Sequence, residues 1–200
     1  MEELHIDWNQ EKPDRNQIIE IWKSIRFEVC NEWSEGANAL KEIIEEAYCN
    51  GGVQLHKYKI IGNNTFKWFA ERNRLEEIKI LKNTIKHPDL QNYRDDLKIR
   101  ISKPKIKNVE YWTDIYDLPG RLARIMRQGG PYRKIEQGTA WQVAVNFVES
   151  EFQNRFEEVL LFYIVIEDAE WFFDIAWDYS IILFDKRNYE IIFIDMTDTD

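Results

Sequence analysis

Along the first quarter of the chain, apolar residues recur at the spacing of helices. Ile18, Trp22, Ile25 and Val29 follow Asp14, and Leu40, Ile43, Ile44, Ala47 and Tyr48 follow Ser34, each a three-to-four-residue repeat behind a capping residue. With Asn50-Gly51-Gly52 as a stop, this predicts a helical hairpin over residues 1–53. Residues 53–61 read as a strand and Gly62-Asn63-Asn64 as a turn. Phe66, Phe69, Leu75, Ile78, Leu81 and Ile85 mark a helical stretch closed by His87-Pro88. Strict alternation over Leu97-Lys98-Ile99-Arg100-Ile101 predicts a half-buried strand, with residues 106–112 as its hairpin partner across Ser102-Lys103-Pro104-Lys105.

Residues 117–128 read as a helix with Pro119 in its first turn and Gly129-Gly130-Pro131 behind it. Another helix follows Thr139, carried by Trp141, Ala144, Val145, Val148, Phe152 and Phe156. Strands are then predicted at 159–166, 171–176, 181–185 and 189–194, the last two joined by Lys186-Arg187-Asn188. The pattern therefore predicts an α+β fold in which the N-terminal helical hairpin and further helices pack on one face of a mainly antiparallel C-terminal sheet, in a single domain of residues 1–200.

Composition agrees with a buried core, at 44% hydrophobic and 32% charged residues with 8 Trp, 9 Tyr and 11 Phe. The polar, acidic start of the chain has no basic stretch leading into an apolar one, so a cytoplasmic location is expected. The apolar run 159–166 is far shorter than the roughly 20 residues that span a bilayer, so no membrane role is expected. Cys30 and Cys49 are expected as reduced thiols.

Charge changes the picture more. Net charge is −9, but residues 54–134 carry 19 basic and 9 acidic groups, against 3 and 15 in residues 135–200. Either the basic middle neutralises the acidic ends across the folded surface, or the acidic end is a face for a basic partner. The acidic third also holds 14 of the aromatics. Trp171, Phe172, Phe173, Trp177 and Tyr179 interleave there with Glu167, Asp168, Glu170, Asp174 and Asp178. Aromatic anchors ringed by charge suit a protein-binding hot spot, and in strand register half of those rings would instead face the core. Glu167, Asp168, Glu170, Trp171, Asp174, Trp177 and Asp178 are the candidate partner-binding residues.

Motifs for chemistry are missing. His5, His56 and His87 are widely separated and fit no zinc spacing, and neither a phosphate-cradling glycine loop nor a GxSxG elbow occurs. Asp195, Asp198 and Asp200 read as a solvated acidic tail rather than a cation site. Nothing calls for a cofactor or a metal. Arg121, Arg124 and Arg127 fall on one arc of the 117–128 helix, opposite Leu118, Leu122, Ile125 and Met126, and form a candidate anion-binding face or a solvated one.

The closing stretch, Trp177-Asp178-Tyr179-Ser180-Ile181-Ile182-Leu183-Phe184-Asp185 through Phe193-Ile194-Asp195-Met196-Thr197-Asp198-Thr199-Asp200, resembles the last strands of small bacterial toxin-immunity proteins. That resemblance implies a small, acidic, cytoplasmic, non-catalytic inhibitor of a basic toxin domain such as a nuclease. It carries over no site residue. The expectation is thus a binding protein with a basic protein partner. The alternatives are an enzyme with an unrecognised carboxylate or arginine site, and a nucleic-acid binder acting through residues 54–134.

Overall fold

The computed structural model describes residues 6–200, and for 108–113 the course of the backbone alone. His5 lies outside the described residues. The helices are α1 (Arg15–Ser24), α2 (Glu35–Ala47), α3 (Asn64–Glu71), α4 (Ile80–Lys86), α5 (Gln91–Asp96), α6 (Leu118–Gln128) and α7 (Gln137–Phe152). The strands are β1 (Arg26–Val29), β2 (Gly52–Ile61), β3 (Ile106–Thr113), β4 (Val159–Ile166), β5 (Tyr179–Asp185) and β6 (Glu190–Thr197). They form one sheet in the order β1-β2-β6-β5-β4-β3, antiparallel at every pairing, so the chain is an α+β protein.

The sheet is covered on both faces rather than one. On one side Ile182, Phe184, Ile191 and Phe193 pack with Ile21 of α1, Phe66 of α3, Ile85 of α4 and Tyr93 of α5. On the other, Ile181, Leu183, Ile192 and Ile194 pack with Leu40 of α2, Leu122 of α6 and Phe147 of α7. The cause is visible in β5 and β6, which are apolar at consecutive rather than alternate positions and are buried almost throughout. Such a strand exposes an apolar face to water unless both sides are covered.

The two N-terminal helices form where expected, behind a capping box at Asp14 and a Ser34 cap, but they do not make a hairpin. α1 stops at Ser24, whose hydroxyl bonds back to the Glu20 carbonyl at 3.0 Å, and residues 26–29 pair with β2 as an edge strand. Because β1 intervenes, α1 and α2 join opposite faces of the sheet. The 66–85 stretch is likewise broken, at Asn73 and Lys79, where φ is 53° and 55°.

Two predicted strands are absent. In 97–101 the alternation does bury Leu97 and Ile99, yet Lys98 takes φ 55° and the segment makes a single bridge, Ile99 to Ala169. β3 pairs with β4 instead. Residues 171–176 belong to the long connection 167–178 between β4 and β5, with Asp174 at φ 61°. Both segments carry apolar residues that pack on the sheet's helical layer rather than extend it.

The acidic tail is not solvated. Asp195 and Asp198 are 1% and 0% exposed, and only Asp200 faces water. The Asp198 carboxylate accepts from the backbone N–H of Cys49, Asn50 and Gly51 at 3.0, 2.8 and 3.1 Å, pinning the α2–β2 turn to the end of β6. Gly51 is required there, since a Cβ would lie 1.9 Å from the Thr197 carbonyl oxygen.

Candidate functional site

The 167–178 connection walls a cleft of about 750 Å³. Glu167, Asp168, Glu170, Asp174 and Asp178 all line it, over a floor that includes Ile164 and Ile166 of β4 and Phe172. Arg100, Ile101 and Lys107 complete the opposite rim. Three of the acids hold the connection in place. Glu167 pairs with Lys107, Asp168 accepts from the Lys105 backbone N–H at 2.8 Å, and Asp178 accepts from the Ile175 N–H at 2.9 Å and from the Thr197 hydroxyl. Glu170 and Asp174 are exposed and make no hydrogen bond or ion pair among the described residues.

The rings divide in the same way. Trp171 and Phe172 meet edge-on with ring centres 5.2 Å apart and pack against the core, and the Trp171 backbone N–H donates to the Leu97 carbonyl at 3.2 Å. Trp177 is half-buried and does not line the cleft. Ile101, Val165 and Ile175 are exposed apolar side chains on the cleft lining, and Phe173, at 45% exposure, is presented to solvent next to Asp174 without lining the cleft. The loop geometry packs Trp171 against the core, leaves Trp177 half-buried and turns Phe173 outward. Arg100 and Ile101 are further cleft residues that local sequence does not reveal, since tertiary contacts, the Ile99–Ala169 bridge and the Trp171–Leu97 backbone bond, bring that segment to the cleft.

The three helix arginines serve different ends. Their helix does bury Leu118, Leu122, Ile125 and Met126, as the arc predicts. Arg121 lies over the Tyr163 ring at 4.0 Å, Arg127 donates to the Ile135 carbonyl at 2.7 Å, and Arg124 is exposed.

Behind the cleft floor is a buried polar group. Ser180 lines the cleft and its hydroxyl donates to Asp195 on β6, with Tyr93 adjacent. Burial pushes the Asp195 carboxyl up to about 7, while the neighbouring Ser180 and Tyr93 hydroxyls pull it the other way. On the same face of the sheet, His56 packs edge-on against Tyr93 at 5.1 Å and meets Asp96 at 2.8 Å through Nε2. Burial holds the His56 imidazole below its ordinary value, partly offset by Asp96. Among the described residues no group of three His, Cys, Asp or Glu is placed to hold a metal ion, and both cysteines are free.

Charge neutralisation between the segments occurs in part. Lys57–Glu151, Lys59–Glu190 and Lys107–Glu167 join the basic middle to the acidic end. The first is buried, and Lys57 also donates to the Glu32 carbonyl at 3.1 Å and lies over the Trp33 ring at 4.7 Å. Chemically, a cleft with an apolar floor and unpaired carboxylates at its rim suits a lysine or arginine side chain. The stem covers the floor and the head reaches the acids.

No protein-family model matches the chain, and no curated protein matches it. Among the described residues no helix is long and apolar enough to cross a membrane.

Proposed function

We propose that this is a non-catalytic binding protein whose acidic cleft receives a basic segment of a protein partner, as an immunity-type inhibitor would engage a basic toxin domain. One observation carries the reading. Five carboxylates from a single connection line one cleft together with Ile175; two of them, Glu170 and Asp174, are unpaired among the described residues, and exposed Phe173 adjoins Asp174 in the chain. Apolar anchors set among charge provide the slow-dissociating centre of an interface, and the acids steer a cationic partner toward it.

Affinity isolation from the protein's own cells, run in parallel with wild type and a Glu170→Lys/Asp174→Lys variant, tests this. The expected result is a basic protein retained by wild type and lost by the variant at unchanged thermal stability, with its toxicity suppressed by coexpression of wild type only. Equal recovery of that protein by both forms would overturn the cleft as the interface. Recovery by wild type alone, without any suppression, would overturn the inhibitor role.

A further inference from the structure

A second cleft, of about 530 Å³, opens between α4 and the segment leading into β3. Lys79, Lys82, Lys86, Lys103, Lys105 and Lys107 line it, over a floor that includes Leu81, Ile106 and Phe162. The only carboxylate on its lining among the described residues is Glu76. Lys107 is engaged by Glu167, but the other five lysines form no ion pair among the described residues. Lys82 and Lys86 stand one turn apart on α4, a like-charge spacing that destabilises a helix. Burial, and then the charges of Lys82, Lys103 and Lys79, hold the Lys86 ammonium below its ordinary value. Folding has therefore brought together six lysines from two parts of the chain, with Glu76 as the one carboxylate beside them on the lining among the described residues.

We propose that this lysine cleft binds a compact polyanion bearing clustered phosphates. Three features select that chemistry. Among the described residues the cleft uses lysine and no arginine, and ammonium groups act as adaptable point charges on phosphate oxygens, whereas planar carboxylates favour the bidentate guanidinium. Its volume is that of a small-molecule site. Among the described residues the lining holds one aromatic, Phe162, which is floor at 8% exposure and presents little ring surface for the base stacking that retains single-stranded nucleic acid. The apolar floor strengthens the attraction by focusing the field of the rim.

Calorimetric titration of the full chain with inorganic tripolyphosphate, with ATP and with a twenty-nucleotide single strand tests the site. The reference is a Lys82→Gln/Lys86→Gln/Lys105→Gln variant, whose substitutions fall on solvent-accessible side chains and leave the Lys105 backbone bond to Asp168 in place. Saturable tripolyphosphate binding that weakens at least tenfold in the variant and falls steeply with salt is the expected result. Equal or stronger binding of ATP places the phosphates on a nucleotide, and weaker binding identifies the bare phosphate chain as the better ligand; both support the site. Binding that is the same in wild type and variant overturns it, as does binding confined to the oligonucleotide. Because the acidic cleft is untouched by these changes, failure here leaves the partner-binding reading intact.

Discussion

Asp195 shows how one residue type takes opposite roles within four positions of the chain. Asp198 ends buried but surrounded by backbone donors, so its charge is satisfied. Asp195 is buried with one carboxylate oxygen on the Ser180 hydroxyl and with Oδ2 lacking a hydrogen bond among the described residues, so burial penalises its charged form. Its folded-state value of about 7 lies above the roughly 3.9 of an unfolded aspartate. Below pH ~4 both states hold the proton and the group is silent. Between ~4 and ~7 the unfolded chain releases it first, so stability falls as pH rises, and the penalty is complete above ~7. An Asp195→Asn variant removes this slope. Urea unfolding from pH 4 to 8 is expected to show the variant gaining on wild type across that window. His56 and His87, both lowered by burial, push the other way at acid pH, but they are common to the two proteins and cancel in the difference. A difference that stays flat with pH would mean that Asp195 is ionised in the fold at all these values. Nothing in the sequence distinguishes these two aspartates, since their fates depend on which backbone the folded sheet places beside them.

At the scale of elements, periodicity read the interior well and pairing poorly. Helix α6 illustrates the success: the buried set Leu118, Leu122, Ile125 and Met126 is the one the helical arc selects, because i, i+4 neighbours share a face whatever lies opposite. β1 and residues 97–101 illustrate the failure. Phe27 and Ile99 each sit in a short apolar pattern, yet whether such a segment joins the sheet depends on a partner strand distant in sequence, which local spacing does not encode. The same limit hid the cleft, whose acidic wall was legible as a cluster but whose opposite rim at Arg100 comes from another part of the chain. The cationic face of α6 separates on inspection into unlike contacts, and its variants should separate with it. Arg124→Gln is expected to change stability by no more than ~0.5 kcal/mol. Arg121→Gln, which removes the stack on Tyr163, and Arg127→Gln, which removes a bond to the Ile135 carbonyl, are each expected to cost about 1 kcal/mol. Thermal unfolding of the three single variants checks the order, and equal effects would show one uniform solvated face.

For the molecule as a whole, the uneven charge along the sequence becomes two neighbouring clefts of opposite sign, with Lys107 lining both and Glu167 bridging to it. The protein thus carries net charge −9 while holding together five lysines that form no ion pair among the described residues, two sources of self-repulsion that a single substitution set moves in opposite directions. Replacing Lys82, Lys86 and Lys105 by Gln removes three cations and takes the net charge from −9 to −12, which worsens the global repulsion while relieving the local one. Screening decides between them. At 0.15 M salt the Debye length is about 8 Å, so charges across the molecule scarcely interact, whereas lysines sharing one cleft still do. The local term should therefore win: in 0.15 M salt without phosphate the variant is expected to melt no lower than wild type, with a gain of about 0.2–0.5 kcal/mol from the α4 pair alone. At 1 M salt, where the Debye length is about 3 Å, the difference should close. Differential scanning calorimetry at the two salt concentrations measures this directly. A variant that melts several degrees lower at 0.15 M would show that the lysines stabilise the fold through their stems packed over Leu81 and Phe162, and that their convergence is a matter of packing rather than an uncompensated charge awaiting an anion.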